Sequence, residues 1–222
     1  MGDGYLLACD ASLESRMMIT IYHLSTSRSE RIVWLMEELG LEYKLEPFQR
    51  EPSGAAPDAL KTIHPLGKAP VIRDGDTVLA ESGAIVDYIV HRYGGGRLAV
   101  EPTAAEYADY VYWLHFAEGS LMSLMLIALV LSRVPEGSAS PPGTRVLARL
   151  KQMLSFVDGE LANRPYLAGA AFTAADVMMV FPFTTMRLFL DYDLGPYSNI
   201  LAYLKRIESR PAYQKAMAVA RK

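Results

Sequence analysis

Residues His64 to Tyr88, HPLGKAPVIRDGDTVLAESGAIVDY, leave this chain few ways to fold. They read as a turn ending in Ala69-Pro70, a strand over Val71 to Arg73 and a tight Asp74-Gly75-Asp76 turn, then a strand over Thr77 to Ala80 and a helix opening at Ser82. A proline at the mouth of a buried strand removes one ladder donor. In the cis form, which X-Pro bonds reach cheaply, it turns the Ala69 backbone outward, where an extended peptide can pair with it as an added strand would. Ser82 sits at the expected N-cap, where its hydroxyl and the first free N–H groups make a carboxylate site. Glu81 beside it suits the ammonium of the same ligand. The combination describes a receptor for a small peptide with a free amino-acid head. An ordinary hairpin leading into an ordinary helix accounts for either half alone, but less well for Lys68-Ala69-Pro70 and Glu81-Ser82 as a pair.

Upstream, Ile19 to Leu24 alternates and is β-branched, the polar patch Ser25 to Ser29 breaks it, and Glu30 to Leu39 carries a helical apolar stripe stopped by Gly40. Leu41 to Phe48 returns as a strand, giving a right-handed βαβ unit, and Asp58 to Ile63 suits a short helix. Strand, helix, strand, short helix, hairpin and helix is the thioredoxin-like order, spanning 18–94. Gly94-Gly95-Gly96 begins a linker over 95–102, and beyond it no strand pattern remains, so 103–222 is expected to be all helical. Thr103 is placed to cap a long helix running to about Val134, Pro135 to Gly143 reads as a loop, and Thr144 to Asn163 as a helix. Thr173 with Asp176 three residues on is a capping-box signal before the apolar run Val177 to Phe183, in which Pro182 forecasts a kink or an early end. Pro196 to Ser209 and Pro211 to Arg221 complete the helical part.

The hydrophobic share of 51% and charged share of 21% are those of a globular chain, and 222 residues suffice for two small cores. A net charge of −3 with no dense Lys/Arg run argues against a nucleic-acid partner. The single Cys9 excludes an internal disulfide and fits a reducing, cytoplasmic setting. Residues 1–17 show no secretory pattern and read as a flexible extension. The most apolar run, Leu121 to Leu131, falls short of the roughly 20 residues of a membrane span and reads as a buried helix.

The stretches HLSTSRSERIVWLMEELGLEY, LGKAPVI, ESGAIVDYI, YWLHFAEGSLM, YLAGAAFTAADVMM and SRPAYQKAM resemble the cytosolic glutathione transferases, in a microbial branch. The likeness spans nearly the whole chain from Met18 onward. It implies a glutathione-binding thioredoxin-like domain followed by an all-α domain that shapes an apolar pocket. It also implies a homodimer, with glutathione as co-substrate and no metal or organic cofactor. The activity implied is conjugation of glutathione to small hydrophobic electrophiles, a detoxification chemistry. Two alternatives stay open: a glutathione-dependent reductase of peroxides or disulfides, and a binding protein without turnover. Substrate-binding candidates are Lys68, Ala69, Pro70, Glu81 and Ser82 for glutathione, and Trp113 and Phe116, with His115 and Met122, for the acceptor. Aromatic and Met residues at helical spacing are more often core.

Such chemistry requires glutathione sulfur as a thiolate, and an ordinary thiol has a pKa of about 8.5. Aligned on Trp34 and Gly40, Tyr22 falls where the tyrosine-type classes keep their hydroxyl donor and Thr26 where the serine-type classes keep theirs, with Ser27 adjacent. Ser27 or Thr26 is favoured, because at the helix entrance a hydroxyl and the helix dipole act on one anion. Tyr22 reads equally as core. His23 and His64 lack a carboxylate partner at useful spacing and read as surface or loop histidines, and Arg28 as an ion-pair partner or a ligand contact.

Overall fold

Ile19–Leu24 forms β1, the hub of a four-stranded sheet in a computed structural model that describes residues 18–221. The extension over 1–17, and Cys9 with it, lies outside the described residues. The sheet order is β2 (Tyr43–Phe48), β1, β3 (Val71–Asp74), β4 (Thr77–Ala80). β1 runs parallel to β2 with Ile21 opposite Leu45, and antiparallel to β3 with Tyr22 opposite Val71. Parallel pairing of consecutive strands requires a crossover, which α1 (Glu30–Leu39) supplies. Gly40 closes that helix at φ 63°, a left-handed position that glycine occupies without Cβ strain. A 3₁₀ turn, Asp58–Thr62, precedes the hairpin, and α2 (Ser82–Arg92) follows it. Ile21, Ile32, Leu35, Ile72, Ile85 and Ile89, all fully buried, fill the space between sheet and helices. This is the thioredoxin-like half, and it is followed by a helical half.

The helical half departs from the sequence reading at two helix starts. The long helix begins at Tyr107 rather than after Thr103, as α3 (Tyr107–Phe116), a wider π-type turn (Ala117–Met122) and α4 (Ser123–Ser132). The fifth helix, α5 (Pro141–Glu160), opens three residues earlier than Thr144: Ser140 is its N-cap, accepting from Gly143 N–H at 3.1 Å. Pro141 sits at N1, where a missing N–H costs nothing. α6 (Ala174–Phe183) ends one residue after Pro182 and is buried throughout, as its apolar run requires. α7 (Ser198–Glu208) and α8 (Pro211–Ala220) complete the chain, and α8 lies against α1.

The long helix also corrects the reading of its apolar run. Tyr107–Ser132 is continuous over 26 residues with a mean hydropathy of 1.8 in its most apolar window, so by length and composition alone it is enough to cross a membrane. Counting only the unbroken apolar letters missed the aromatic residues that extend it. Nor is it wholly buried: Trp113, Leu121, Met125 and Ala128 face the core, whereas Ile127 and Val130 are exposed.

Candidate functional site

Two adjoining chambers open between the sheet half and the helical half. The polar one, about 200 Å³, is lined by His64, Lys68, Ala69, Pro70, Glu81 and Ser82. The second, about 380 Å³, places Ser27 and Thr26 on its floor opposite Met122, Leu126, Leu129, Phe181, Met186 and Phe189. Arg28, Lys68, Ala69 and Leu126 line both. An elongated ligand can therefore lie with a charged end in the first chamber and an apolar or reactive end in the second.

The polar chamber is built by the hairpin and the start of α2. The Ala69-Pro70 bond is cis, and neither backbone group of Ala69 has a backbone partner among the described residues. Helix α2 is capped one residue earlier than expected: Glu81 holds the cap position at φ 71° and Ser82 is the first helical residue. Positive φ is unfavourable for a residue with a Cβ, and here it carries the chain from β4 into α2 so that Glu81 and Ser82 both face the chamber.

The turn between β1 and α1 carries the hydroxyls. Thr26, at φ 50°, donates its hydroxyl to Ser25 O at 2.8 Å and is braced by Arg50, whose Nη2 donates to Thr26 O at 2.9 Å. Ser27 is buried, and its Oγ lies 2.8 Å from Ser29 Oγ. Ser29 Oγ in turn lies 2.7 Å from His23 Nδ1, and His23 Nε2 donates to Ala220 O at 2.8 Å. The free helix N–H groups expected here are spoken for: Glu30 and Arg31 donate to Ser27 O and Arg28 O at 3.2 Å. Among the described residues the N–H groups of Thr26, Ser27 and Arg28 have no backbone partner, and that of Ser29 donates to Ser27 Oγ at 3.2 Å. An anion above Ser27 would thus meet turn amides rather than the first helical turn.

The wall of the polar chamber includes Arg28 and Glu118, which belong to a charged cluster that sequence spacing does not reveal. Arg31 is almost fully buried, pairs through Nη1 with Glu118 and leaves Nε and Nη2 without partners among the described residues. Arg28 joins Glu118 at 3.0 Å, and both guanidinium groups lie over the Phe181 ring. Burial alone would raise the Glu118 pKa, but Arg31 and Arg28 together bring it below the ordinary carboxylate value. Burial lowers that of Arg31. Glu30, also buried, has its carboxyl pushed up by burial while Thr185 donates to it at 2.6 Å.

The structure gathers Ser27, Thr26, Lys68, Ala69, Pro70, Glu81, Ser82 and Met122 around the two chambers. Tyr22 lies elsewhere: its hydroxyl accepts from Arg73 Nε at 3.1 Å, and its ring meets Phe48. Trp113 and Phe116 line neither chamber. Trp113 stacks on Phe156 with centroids 5.6 Å apart and Phe116 packs edge-on against it, so the helical spacing of these aromatics marks core. His115 is exposed. His23 is neither a surface nor a loop histidine but a buried one, and burial lowers its pKa. The walls that sequence reasoning missed are Leu126, Leu129, Phe181, Met186, Phe189 and Arg50. They are carried on elements far apart in the chain and bear no local motif, although the Pro182 break gave a signal that the α6 end was special. No cluster of three or more potential metal ligands occurs among the described residues.

The family model described as the glutathione S-transferase N-terminal domain matches residues 17–91, and that of the C-terminal domain matches residues 122–211. Glutathione S-transferase 3 of Schizosaccharomyces pombe is 36% identical over 210 residues, covering 88% of this chain and 85% of its own length. Glutathione S-transferase 1 of Saccharomyces cerevisiae is 32% identical over 228 residues, covering 92% and 96%. Among solved structures, a glutathione S-transferase from Actinobacillus pleuropneumoniae superposes with a TM-score of 0.83 at 38% identity, covering 91% of this chain and 93% of its own.

Proposed function

The chain belongs to the glutathione S-transferase family, and we propose that it conjugates the glutathione thiolate to small hydrophobic electrophiles. It is an enzyme of the glutathione transferase type with glutathione as co-substrate. The observation that carries the finer reading is Ser27, whose hydroxyl lies on the floor of the apolar chamber where that chamber adjoins the Glu81–Ser82 chamber across Lys68 and Ala69. In this reading Glu81 takes the ammonium and Ser82 the carboxylate of the γ-glutamyl head, the Ala69 backbone pairs with the cysteinyl unit, and Lys68 stands by the thiol end. Ser27 O–H then donates to the thiolate. A charge-assisted hydrogen bond of about 1.5–3 kcal/mol corresponds to roughly one to two pKa units of thiol acidification. Met122, Leu126, Phe181 and Phe189 hold the acceptor against the sulfur, and rate is gained by holding both reactants together.

The same proposal divides the chain into a glutathione-binding domain over 18–94, a linker over 95–102 and a helical domain over 103–222. It places the enzyme in the cytoplasm as a homodimer in a detoxification role. The exposed Ile127 and Val130 on α4 are an apolar surface that such a dimer would bury. Steady-state assays of glutathione with an aryl halide, an organic peroxide and a small disulfide test the reaction. Turnover is expected on the aryl halide, and Ser27→Ala is expected to raise the pKa of bound thiol while Tyr22→Phe leaves it unchanged. Exclusive turnover of the peroxide or disulfide would replace conjugation by reduction, and no turnover of any would leave a binding protein.

A further inference from the structure

The hydrogen bonds behind Ser27 have an arithmetic that fixes the direction of each proton. Ala220 O can only accept, so His23 Nε2 carries a hydrogen, and in a neutral imidazole Nδ1 is then an acceptor. Ser29 Oγ, 2.7 Å from Nδ1, donates to it, because Nδ1 has no other donor in reach, while Leu24 O at 3.2 Å is a longer second acceptor of the same proton. With its one proton committed, Ser29 Oγ accepts from Leu24 N–H at 3.1 Å and from Ser27 O–H at 2.8 Å. Ser27 Oγ accepts in turn from Ser29 N–H at 3.2 Å. The hydroxyl proton needed at the sulfur is therefore aimed inward in the ligand-free protein.

Turning Ser27 O–H to a thiolate breaks this order. The two serine oxygens would then face each other at 2.8 Å with no proton between them, unless Ser29 turns its own proton to Ser27 and leaves Nδ1 bare. A proton on Nδ1 satisfies every member of the chain at once: Nδ1–H donates to Ser29, Ser29 to Ser27 and Ser27 to sulfur. We propose that His23 is a positioning residue that, through Ser29, sets the direction of the Ser27 hydroxyl and takes up a proton as bound glutathione ionises. In balanced form, the S–H bond breaks and its proton goes to Ser27 Oγ, the Ser27 proton passes to Ser29 Oγ and the Ser29 proton to His23 Nδ1. A thiol and an imidazole become a thiolate and an imidazolium, with no other reactant. The inference rests on the reading of Ser27 as the thiolate donor.

Burial keeps the imidazole neutral at rest, lowering its pKa against a smaller upward pull from Ala220 O. The charged groups on surrounding elements are engaged elsewhere. On α1, Glu30 accepts from Thr185 and Arg31 pairs with Glu118, while Arg221 beyond α8 acts on Glu30. On α8, Lys215 pairs with Glu37, and the Tyr213 ring packs on Trp34. On the neighbouring strands, Lys44 pairs with Glu46, Arg73 donates to Tyr22, and Asp74 accepts from Tyr88. The new negative charge at sulfur is thus the one left to favour the imidazolium.

The test compares Ser27→Ala, Ser29→Ala, Ser29→Thr and His23→Gln by ultraviolet titration of enzyme-bound glutathione thiolate. The His23 ring is followed by NMR titration with and without glutathione. His23→Gln can keep a donor for Ala220 O, so it removes the base without the tie to α8. Ser29→Ala and His23→Gln are each expected to raise the bound thiol pKa by roughly one unit, a tenfold loss of thiolate at a pH below it, and Ser29→Thr to restore it. Glutathione is expected to raise the His23 pKa in the wild type but not in Ser29→Ala. If Ser27→Ala raises the thiol pKa while Ser29→Ala and His23→Gln do not, His23 only fastens α8 and the inference falls, with the assignment of Ser27 intact. If Ser27→Ala itself changes nothing, that assignment fails and takes the inference with it.

Discussion

Ser82 is buried at the first position of α2, so its hydroxyl serves the polar chamber rather than bulk water. Ser82→Ala removes one hydrogen bond to a charged group, about 1.5–3 kcal/mol, and is expected to weaken glutathione binding by roughly ten- to a hundredfold with the fold unchanged. Calorimetry on the folded variant checks this, and unchanged affinity removes Ser82 from the site. Glu118 also lines the polar chamber, but there it is tied to Arg31 and Arg28 and so bears on stability. Neutralising it leaves the buried Arg31 guanidinium, already with two unpartnered nitrogens, without its counter-charge, so Glu118→Gln is expected to cost about 3 kcal/mol, the low end for breaking a buried pair because Glu118 is itself one-third exposed. The Glu118 pKa is lower folded than unfolded. Its contribution is therefore present above about pH 4.5 and lost as pH falls through the folded value, and Glu118→Gln should flatten that acid limb in urea titrations.

At the scale of elements, α6 is held by one carboxylate. Asp176 is fully buried and accepts from Leu167 N–H at 3.0 Å, Thr173 N–H at 2.8 Å, Thr173 O–H at 3.2 Å and Tyr203 O–H at 3.1 Å. Removing it leaves several buried donors unpaired at about 1–3 kcal/mol each, so Asp176→Ala should cost at least about 3 kcal/mol. Burial pushes the carboxyl up to about 6, with the four donors pulling partway back. A folded pKa above the unfolded one gives stability that is full in acid and lost as pH rises through 6. Asp176→Asn should erase that slope in unfolding free energies measured from pH 4 to 7, and an unchanged slope would assign it to another group. This cap was legible in the sequence, as were the hairpin, α1 with its Gly40 stop and the pairing of Glu81 with Ser82, because each is fixed by neighbours within about four residues. Of the apolar chamber walls Met122 was legible and the others were not. Helical periodicity finds the apolar face of the long helix but cannot divide it between core and cleft, which is why Trp113 and Phe116 were expected where Leu126 and Leu129 stand. His23 was misjudged for a related reason: its partners are a turn serine and a carbonyl 197 residues away.

The two halves of the molecule are joined by α8, whose start and end both grip the sheet half. At the start, Arg210 meets Glu38 through Nε and Nη2, each at 2.7 Å, with its guanidinium 3.8 Å from the Phe172 ring centre. Glu38 also accepts from Trp34 Nε1 at 2.9 Å, and the Trp34 ring meets Tyr213 edge-on at 4.9 Å. At the end, Ala220 O receives His23. A clasp this distributed should make sheet half and helical half unfold together in one transition. Removing either member of the ion pair strands its partner in a mostly buried position, whereas removing both and filling the space with apolar groups does not. Arg210→Met and Glu38→Met are therefore each expected to cost about 3 kcal/mol, and the double variant less than either alone, a non-additivity that urea denaturation of the four proteins measures directly. Additive costs would mean that the pair contributes nothing as a pair. Two separate transitions in the Arg210→Met protein, with hydrogen exchange rising in α1 and α8 first, would identify this clasp as what makes the chain fold as one body; a single transition at lower stability would assign that role to α6, which also packs on α1 and α2.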